Sequence, residues 1–263
     1  MTSNNAIIPQ KLQEDSNKDQ PILLKPIEAA LIYANRFKWA VLPLHSIVNG
    51  RCTCGRADCS SPGKHPRTQN GVKDATKDIA IIRNWWHEWP NANVGIATGA
   101  VSGFFALDVD GQEGEKSLCE LEERNGALPE TVESITGGGG RHLFFRWPGR
   151  AIKNKVALAP GLDIRADGGY IVAPPSNHIS GRRYEWKYLD EVPLAEAPMW
   201  LIGILSDNTT YSITAKPKAT DLVLEGVPKG ARDTTLFRYA CRLRAQGLKR
   251  EEAEILVLEA AAK

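Results

Sequence analysis

The sequence predicts an α+β fold, in which strands and helices are segregated rather than regularly alternating. Two observations predict it. Short runs of apolar and aromatic residues recur between clusters of Gly, Pro, Asn and Ser, the pattern of strands joined by turns. Segments of helical period are segregated from them and do not alternate with them regularly. The 263 residues suffice for one or two domains with a proper core; 42% are hydrophobic and 24% charged, ordinary values for a globular chain. Lys+Arg 33 less Asp+Glu 31 gives +2, so no global field announces a nucleic-acid partner. No apolar stretch approaches the roughly 20 residues of a membrane helix, and Met1–Gln20 lacks a signal-peptide core. The expectation is a cytoplasmic protein with no membrane partner.

Residues 1–25 are polar and read as a disordered leader. A helix starts near Pro26, with Ala29, Ala30, Ile32, Tyr33 and Phe37 as its apolar face. Trp39–Leu44 reads as a strand and leads into a cysteine-bearing loop that ends at Arg67. Asp78 is the expected N-cap of a second helix with Ile79, Ile82, Trp86 and Trp89 at helical spacing. At least two of Trp85, Trp86 and Trp89 are expected in the core. Val94–Thr98 and Phe104–Asp110 are strand-like, and a short helix over Lys116–Arg124 is stopped by Asn125-Gly126. Thr131–Thr136, Leu143–Trp147, Leu162–Pro174 and Tyr184–Tyr188 are strand-flavoured, and Pro198–Leu205 is a short apolar helix. Residues 207–229 read as a linker. Arg232–Gln246 and Arg250–Ala262 then form a helical hairpin split by Gly247 and too small to stand alone. The last residues are helical without a stop signal, so this segment reads as incomplete.

Cys52, Cys54, Cys59 and His65 place four soft or borderline ligands within fourteen residues, and Gly55, Pro62 and Gly63 permit tight turns among them. Four such ligands suit a closed, structural Zn²⁺ site. The alternatives are reduced surface thiols or a Cys54–Cys59 disulfide, which a cytosolic setting disfavours. Cys119 and Cys241 sit on apolar helix faces and read as buried, inert thiols.

Phe104-Phe-Ala-Leu-Asp108-Val-Asp110-Gly carries the sharpest chemical signal. Residues two apart on a strand share a face, so Asp108 and Asp110 point together. At about 7 Å two carboxylates repel by roughly 2 kcal/mol at an effective dielectric of 20, and a divalent cation relieves this. Asp-x-Asp at a strand end suits Mg²⁺ or Mn²⁺ with a phosphate-bearing substrate, or else two solvent-facing aspartates at a turn. Gly137-Gly-Gly-Gly-Arg141-His142 offers close backbone approach and cationic donors, or a plain hairpin turn. No Gly-x-x-x-x-Gly-Lys-Ser/Thr occurs, which excludes a P-loop. A third run begins at Gly161 and puts Asp163 and Arg165 on one strand face.

Together these runs resemble the prim-pol domain (bifunctional DNA primase/polymerase) of the archaeo-eukaryotic primase superfamily, common in replication proteins of mobile elements. Leu107-Asp108-Val-Asp110-Gly111 resembles its first motif, Gly138-Gly-Gly-Arg-His142-Leu-Phe-Phe its second, and Asp163-Ile-Arg165 through Ser176 its third. Gly63-Lys64-His65-Pro66, Asn93–Gly99 and Tyr184-Glu-Trp186 also have counterparts, and the likeness spans about residues 28–205. The Ser-x-His form of the second motif is not kept. Gly140 stands where the serine would be, so no serine hydroxyl is expected beside His142.

The resemblance implies a two-lobed core at 26–206, with an RRM-like catalytic sheet and a zinc-bearing subdomain, followed by a helical C-terminal domain at 230–263. Asp108, Asp110 and Asp163 would bind two Mg²⁺ or Mn²⁺ ions, and His142 would hold the nucleotide, helped by Arg141, Arg165 and Lys64. The implied activity is a DNA primase/polymerase, a template-directed nucleotidyltransferase acting on single-stranded DNA template and primer with ribo- or deoxynucleoside triphosphates. A helicase, in cis or in trans, is an implied partner. Two rivals are a non-catalytic, zinc-stabilised DNA-binding or replication-initiator module and a metal-dependent glycosyltransferase. Trp147 and Trp186 read either as core side chains or as base-stacking platforms, and His45, His87 and His178 fit no pattern.

Overall fold

The computed structural model describes residues 24–189, 192–206, 236, 239, 240, 243 and 250–261. Helix α1 (Pro26–Asn35) leads to strand β1 (Val41–Leu44), a two-residue-strand hairpin β2 (Ile47–Val48) and β3 (Arg51–Cys52), a 3₁₀ turn (Gly71–Asp74) and helix α2 (Ile79–Glu88). Then come β4 (Asn93–Ala97), β5 (Phe104–Val109), α3 (Gly111–Asn125), β6 (Glu133–Ile135) and β7 (Arg141–Arg146). The chain continues through β8 (Lys155–Ala159), β9 (Leu162–Arg165), β10 (Tyr170–Ala173), β11 (Glu185–Tyr188), α4 (Met199–Ser206) and α5 (Arg250–Ala261). The fold is thus mixed, with sheets and few helices. The expected linker 207–229, the leader up to residue 23 and Cys241 lie outside the described residues.

The principal sheet has six strands in the order β11-β6-β7-β5-β9-β8, every pairing antiparallel. A three-stranded sheet runs β1-β4-β10, also antiparallel. Strand alternation sends the two faces of β5 into different cores. Phe105, Leu107 and Val109 pack with Leu118 and Leu121 of α3 and Leu201, Ile202 and Ile204 of α4. Phe104 and Ala106 pack with Tyr33 of α1, Ile82 and Trp86 of α2, and Val94, Ile96, Ile171 and Ala173 of the smaller sheet. β5 is fully buried along its length, which explains its near-continuous apolar sequence. Asp108 comes next on the face that carries Phe104 and Ala106, where that second core gives out.

Local chemistry accounts for the main boundaries. Asp78 caps α2, its Oδ1 accepting from the N–H groups of Ala80 at 2.8 Å and Ile81 at 3.2 Å. α3 begins at Gly111, five residues before the expected Lys116. Two glycines in its first turn lower helix propensity and hide its start. Gly114 is there because a Cβ would come within 2.4 Å of the Gly161 carbonyl oxygen. The β2–β3 hairpin was legible but unread: Asn49-Gly50, with φ of 50° and 74°, is an Asn-Gly turn between its strands. The run Leu162–Pro174, expected as one strand-flavoured stretch, divides between the two sheets as β9 and β10. Trp86 is 3% exposed in the core, whereas Trp85 and Trp89 are only half-buried. Trp186 belongs to an aromatic cluster, donating from Nε1 to the Tyr33 hydroxyl at 2.7 Å with its ring 5.3 Å from Phe144. That placement leaves it little scope as a stacking platform.

Candidate active site

Sheet register assembles the polar row. Asp108 on β5 pairs with His142 on β7 and with Asp163 on β9, and His142 pairs with Ser134 on β6. Four neighbouring strands therefore contribute one residue each at one level, spaced by the roughly 4.8 Å between strands. His142 Nε2 lies 3.4 Å from Asp108 Oδ1, and its Nδ1 lies 3.2 Å from Ser134 Oγ. Arg165 Nη2 bridges Asp163 Oδ2 at 2.8 Å and Asp108 Oδ2 at 3.4 Å. Asp163 Oδ1 also accepts from the Ala157 N–H at 2.7 Å.

The missing serine of the second motif is supplied from elsewhere. Ser134, fully buried on the adjacent strand, provides the hydroxyl that Gly140 cannot. Gly140 itself has no alternative, since a Cβ there would sit 2.3 Å from the Val109 carbonyl oxygen. The expectation that no serine assists His142 is therefore corrected. Only knowledge of the β6–β7 register could have revealed the pair.

Asp110 follows β5 at the N-cap position of α3, yet its carboxylate makes no cap hydrogen bond. It is exposed, and its N–H donates to the Gly161 carbonyl at 2.8 Å. Burial pushes its carboxyl up, the Asp108 and Asp163 charges add to this, and Lys64 opposes it. Burial pushes Asp108 up as well, but the hydrogen bond and charge of His142 and the charge of Arg165 prevail and hold it below the ordinary carboxylate range. Tyr184, buried and stacked 6.3 Å from His142, is raised by burial and by the Asp108 and Asp110 charges. Asp110 thus feels the charge of both other aspartates. Among the described residues, though, the oxygens of the three do not close into a group as tight as the cysteine cluster.

Not every expected residue comes to this row. Arg141 neighbours His142 in sequence and so points to the opposite face of the sheet. There its Nη2 donates to Glu115 Oε2 of α3 at 3.0 Å, with Nε on Oε1, and Nη1 lies 3.6 Å from Glu133. Period-two alternation forbids both residues the same face. Other hydrogen-bond donors stand where Arg141 does not. His178 and Arg182 lie in a turn stacked on the glycine run: a Cβ on Gly137 would sit 2.2 Å from His178 Cβ, and one on Gly139 would sit 3.2 Å from Arg182 Nη2. Both Lys64 and Arg182 are close enough to His178 to add to the burial that lowers its pKa. The glycines thus admit the protein's own second turn. His178 and Arg182 carried no sequence signal, because the turn–turn contact that brings them in is long-range.

The cysteine loop closes as its spacing predicts. The ligand atoms of Cys52, Cys54, Cys59 and His65 all lie within 4.8 Å of one another. His65 Nε2 is 3.6 Å from Cys52 Sγ and 3.5 Å from Cys59 Sγ. A tetrahedron with Zn–S of 2.3 Å and Zn–N of about 2.05 Å has N···S edges of about 3.6 Å. The cluster is compatible with zinc on geometry alone. A backbone hydrogen bond at Arg56 leads the pull that brings the Cys54 thiol down to about 6, toward the thiolate a metal requires. The loop is tied to the rest of the site through two asparagines. Asn93 donates to the carbonyls of Gly63 at 2.8 Å and Asn177 at 2.9 Å, while Asn177 exchanges hydrogen bonds with the Ile47 backbone at 2.9 and 2.8 Å. Lys64 and the His178–Arg182 turn are therefore held in one frame.

Comparison with known families agrees with this arrangement. The model of the family described as bifunctional DNA primase/polymerase, N-terminal, matches residues 30–200. A second model, primase C terminal 1, matches residues 220–261. No curated protein matches the chain. Among the described residues, no helix is long and apolar enough to cross a membrane. With well over half its length matched, the chain belongs to the bifunctional DNA primase/polymerase family.

Proposed function

We propose that this member of the bifunctional DNA primase/polymerase family is a template-directed nucleotidyltransferase that extends or initiates strands on single-stranded DNA. The observation that carries the proposal is the row Ser134–His142–Asp108–Asp163 across four strands, with Asp110 at its open end. The row already draws in a cation, since one guanidinium nitrogen lies between Asp108 and Asp163. Asp108, Asp110 and Asp163 are the residues that would hold two Mg²⁺ or Mn²⁺ ions. Such ions supply Lewis-acid stabilisation of the attacking 3′-oxygen, the α-phosphate and the departing pyrophosphate.

The protein's own groups account for the rest. The 3′-oxygen forms a bond to the α-phosphorus, the bond to the pyrophosphate oxygen breaks, and the hydroxyl proton goes to solvent. His142, oriented by Ser134, donates to a phosphate oxygen. Lys64, His178 and Arg182 surround the mouth beside Asp110 and hold the β- and γ-phosphates, the role first read for Arg141. Arg165 neutralises the acidic pair until the substrate complex forms. Cys52, Cys54, Cys59 and His65 would hold a structural Zn²⁺, which would keep Lys64 in place.

The strand order β6-β7-β5-β9, with α3 linking β5 to β6 across β7, is a split β-α-β arrangement and supports the RRM-like reading of the catalytic sheet. The two cores on its two faces support the two-lobed reading of 26–206. The helical segment 230–263 is read as a separate domain beyond the linker 207–229, and a helicase remains the expected partner.

Primer extension tests the activity, with primed single-stranded DNA, labelled nucleotides and Mg²⁺ or Mn²⁺. Asp108→Asn should reduce incorporation on the order of 10³-fold or more, because it removes charge that stabilises the transition state. Unchanged extension in the variant would dismiss Asp108 as a catalytic residue, and a wild type that binds DNA without extending it would return the chain to a non-catalytic DNA-binding role. Product without primer would show initiation; product only with primer would limit the activity to extension.

A further inference from the structure

A groove of about 630 Å³ runs between α2 and the segment that follows the cysteine loop, lined among others by Arg67, Asn70, Lys73, Asp74, Trp85 and Trp89. It lies outside the acidic row, and neither the sequence motifs nor the family match assigns it a role. Ile82 and Trp86 are the fully buried residues of α2. Trp85 and Trp89, four residues apart on the same helix, remain half-buried along the groove wall.

Arg67 is fixed there in advance. Its Nη2 donates to Thr53 Oγ1 at 2.7 Å and its Nε to the Leu44 carbonyl at 3.3 Å, and its guanidinium carbon stands 5.6 Å over the Trp89 ring. Glu88 influences it electrostatically, but among the described residues no carboxylate reaches it within ion-pair distance. Lys73 is exposed on the same wall. The one lining carboxylate, Asp74, is engaged on both oxygens by Asn70, at 2.9 Å from its N–H and 3.0 Å from its Nδ2. Two cations against one occupied carboxylate favour a polyanion, and flat aromatic walls favour unpaired bases.

A short stretch of chain links the groove to the row. Arg67 follows Lys64 by three residues, so their Cα atoms are at most about 11 Å apart, and Lys64 is close enough to act on Asp110. We propose that this groove carries the single-stranded DNA template toward the acidic row, its bases against Trp85 and Trp89 and its phosphates on Arg67 and Lys73. The inference rests on the polymerase reading above, but on different residues.

The test is binding of a fluorescent oligothymidylate to the full chain by anisotropy over a range of salt, paired with primer extension. Lys73→Glu, an exposed change that leaves the core intact, should weaken binding severalfold and flatten the salt dependence by a slope of about one. Trp85→Ala should weaken binding about tenfold, Trp85→Phe should restore most of it, and stacking should quench tryptophan fluorescence in the wild type. Both variants should reach the wild-type extension rate at saturating template, with only the template KM raised. If both bind with unaltered affinity and salt slope while extension persists, the groove proposal falls and the polymerase reading stands. If the wild type neither binds the oligonucleotide nor extends a primer, both fall together.

Discussion

The cysteine loop and the acidic row are two ligand sets built by opposite routes. The loop draws its four ligands from fourteen consecutive residues, and mostly short-range turns bring them within 4.8 Å. The row draws Ser134, His142, Asp108 and Asp163 from four strands, and only the register of a six-stranded sheet aligns them. The loop's four ligands leave no open position for a substrate. In the row Arg165 neutralises two carboxylates, Asp110 caps nothing, and Lys64, His178 and Arg182 surround the mouth. A complete ligand set suits a structural role, and an incomplete one leaves positions for a reaction.

The largest expected effect separates the two sets. Cys59→Ser removes one of the four loop ligands and should release the metal, at a cost on the order of 3 kcal/mol or more of stability. Tm should fall by more than about 5 °C, and metal analysis should find less than one zinc per chain. Because Lys64 directly precedes His65 and Asn93 ties Gly63 to Asn177, the nucleotide KM should also rise. Asp108→Asn should do the reverse, removing the chemistry and leaving Tm nearly unchanged. A Cys59→Ser protein with wild-type Tm and no bound zinc in either form would erase the distinction.

The same contrast explains what the sequence made legible. The three-cysteine, one-histidine cluster, the Asp78 cap and the order of most strands depend on neighbours within a few residues, and all are readable in the chain. Asp108 and Asp163 were readable as strand-face carboxylates, though nothing in the spacing said that they pair directly; Asp110, expected on the same strand face, instead follows the end of β5 at the start of α3. Arg141 was misplaced because its motif position put it beside His142, whereas strand alternation turns it to α3 and Glu115. Ser134, His178 and Arg182 were missed because each reaches the site through a contact between segments distant in sequence. α3 was read short because Gly111 and Gly114 answer to packing against the Gly161 segment rather than to helix propensity.

The glycine run offers a smaller effect within the row. A Cβ on Gly140 would meet the Val109 carbonyl oxygen at 2.3 Å, whereas one on Gly138 would meet nothing nearer than Thr136 Oγ1 at 3.6 Å. Gly140→Ala should therefore cost about 2 kcal/mol, displace the end of β5 and reduce incorporation with it. Gly138→Ala should change stability by less than about 0.5 kcal/mol. Denaturant unfolding and nucleotide binding measure the pair. Loss of nucleotide binding in Gly138→Ala at unchanged stability would mean that the run's amides serve the substrate directly, rather than making room for the His178–Arg182 turn.

Ser134→Ala probes the finest feature of the row. Ser134 is fully buried, and its hydroxyl is the partner of His142 Nδ1 at 3.2 Å. Nε2 faces Asp108 Oδ1 and so carries a proton; in the neutral ring Nδ1 then accepts from the serine, and in the charged ring it donates to the serine oxygen. Alanine leaves that nitrogen without its partner in a closed environment, which costs about 1 kcal/mol. It also frees the ring to tip or change tautomer, and losing an orienting partner of this kind typically costs about tenfold in activity. The loss should appear in incorporation and as altered imidazole ¹⁵N shifts, with the zinc content unchanged. Wild-type rates and shifts in Ser134→Ala would show that sheet register alone orients His142.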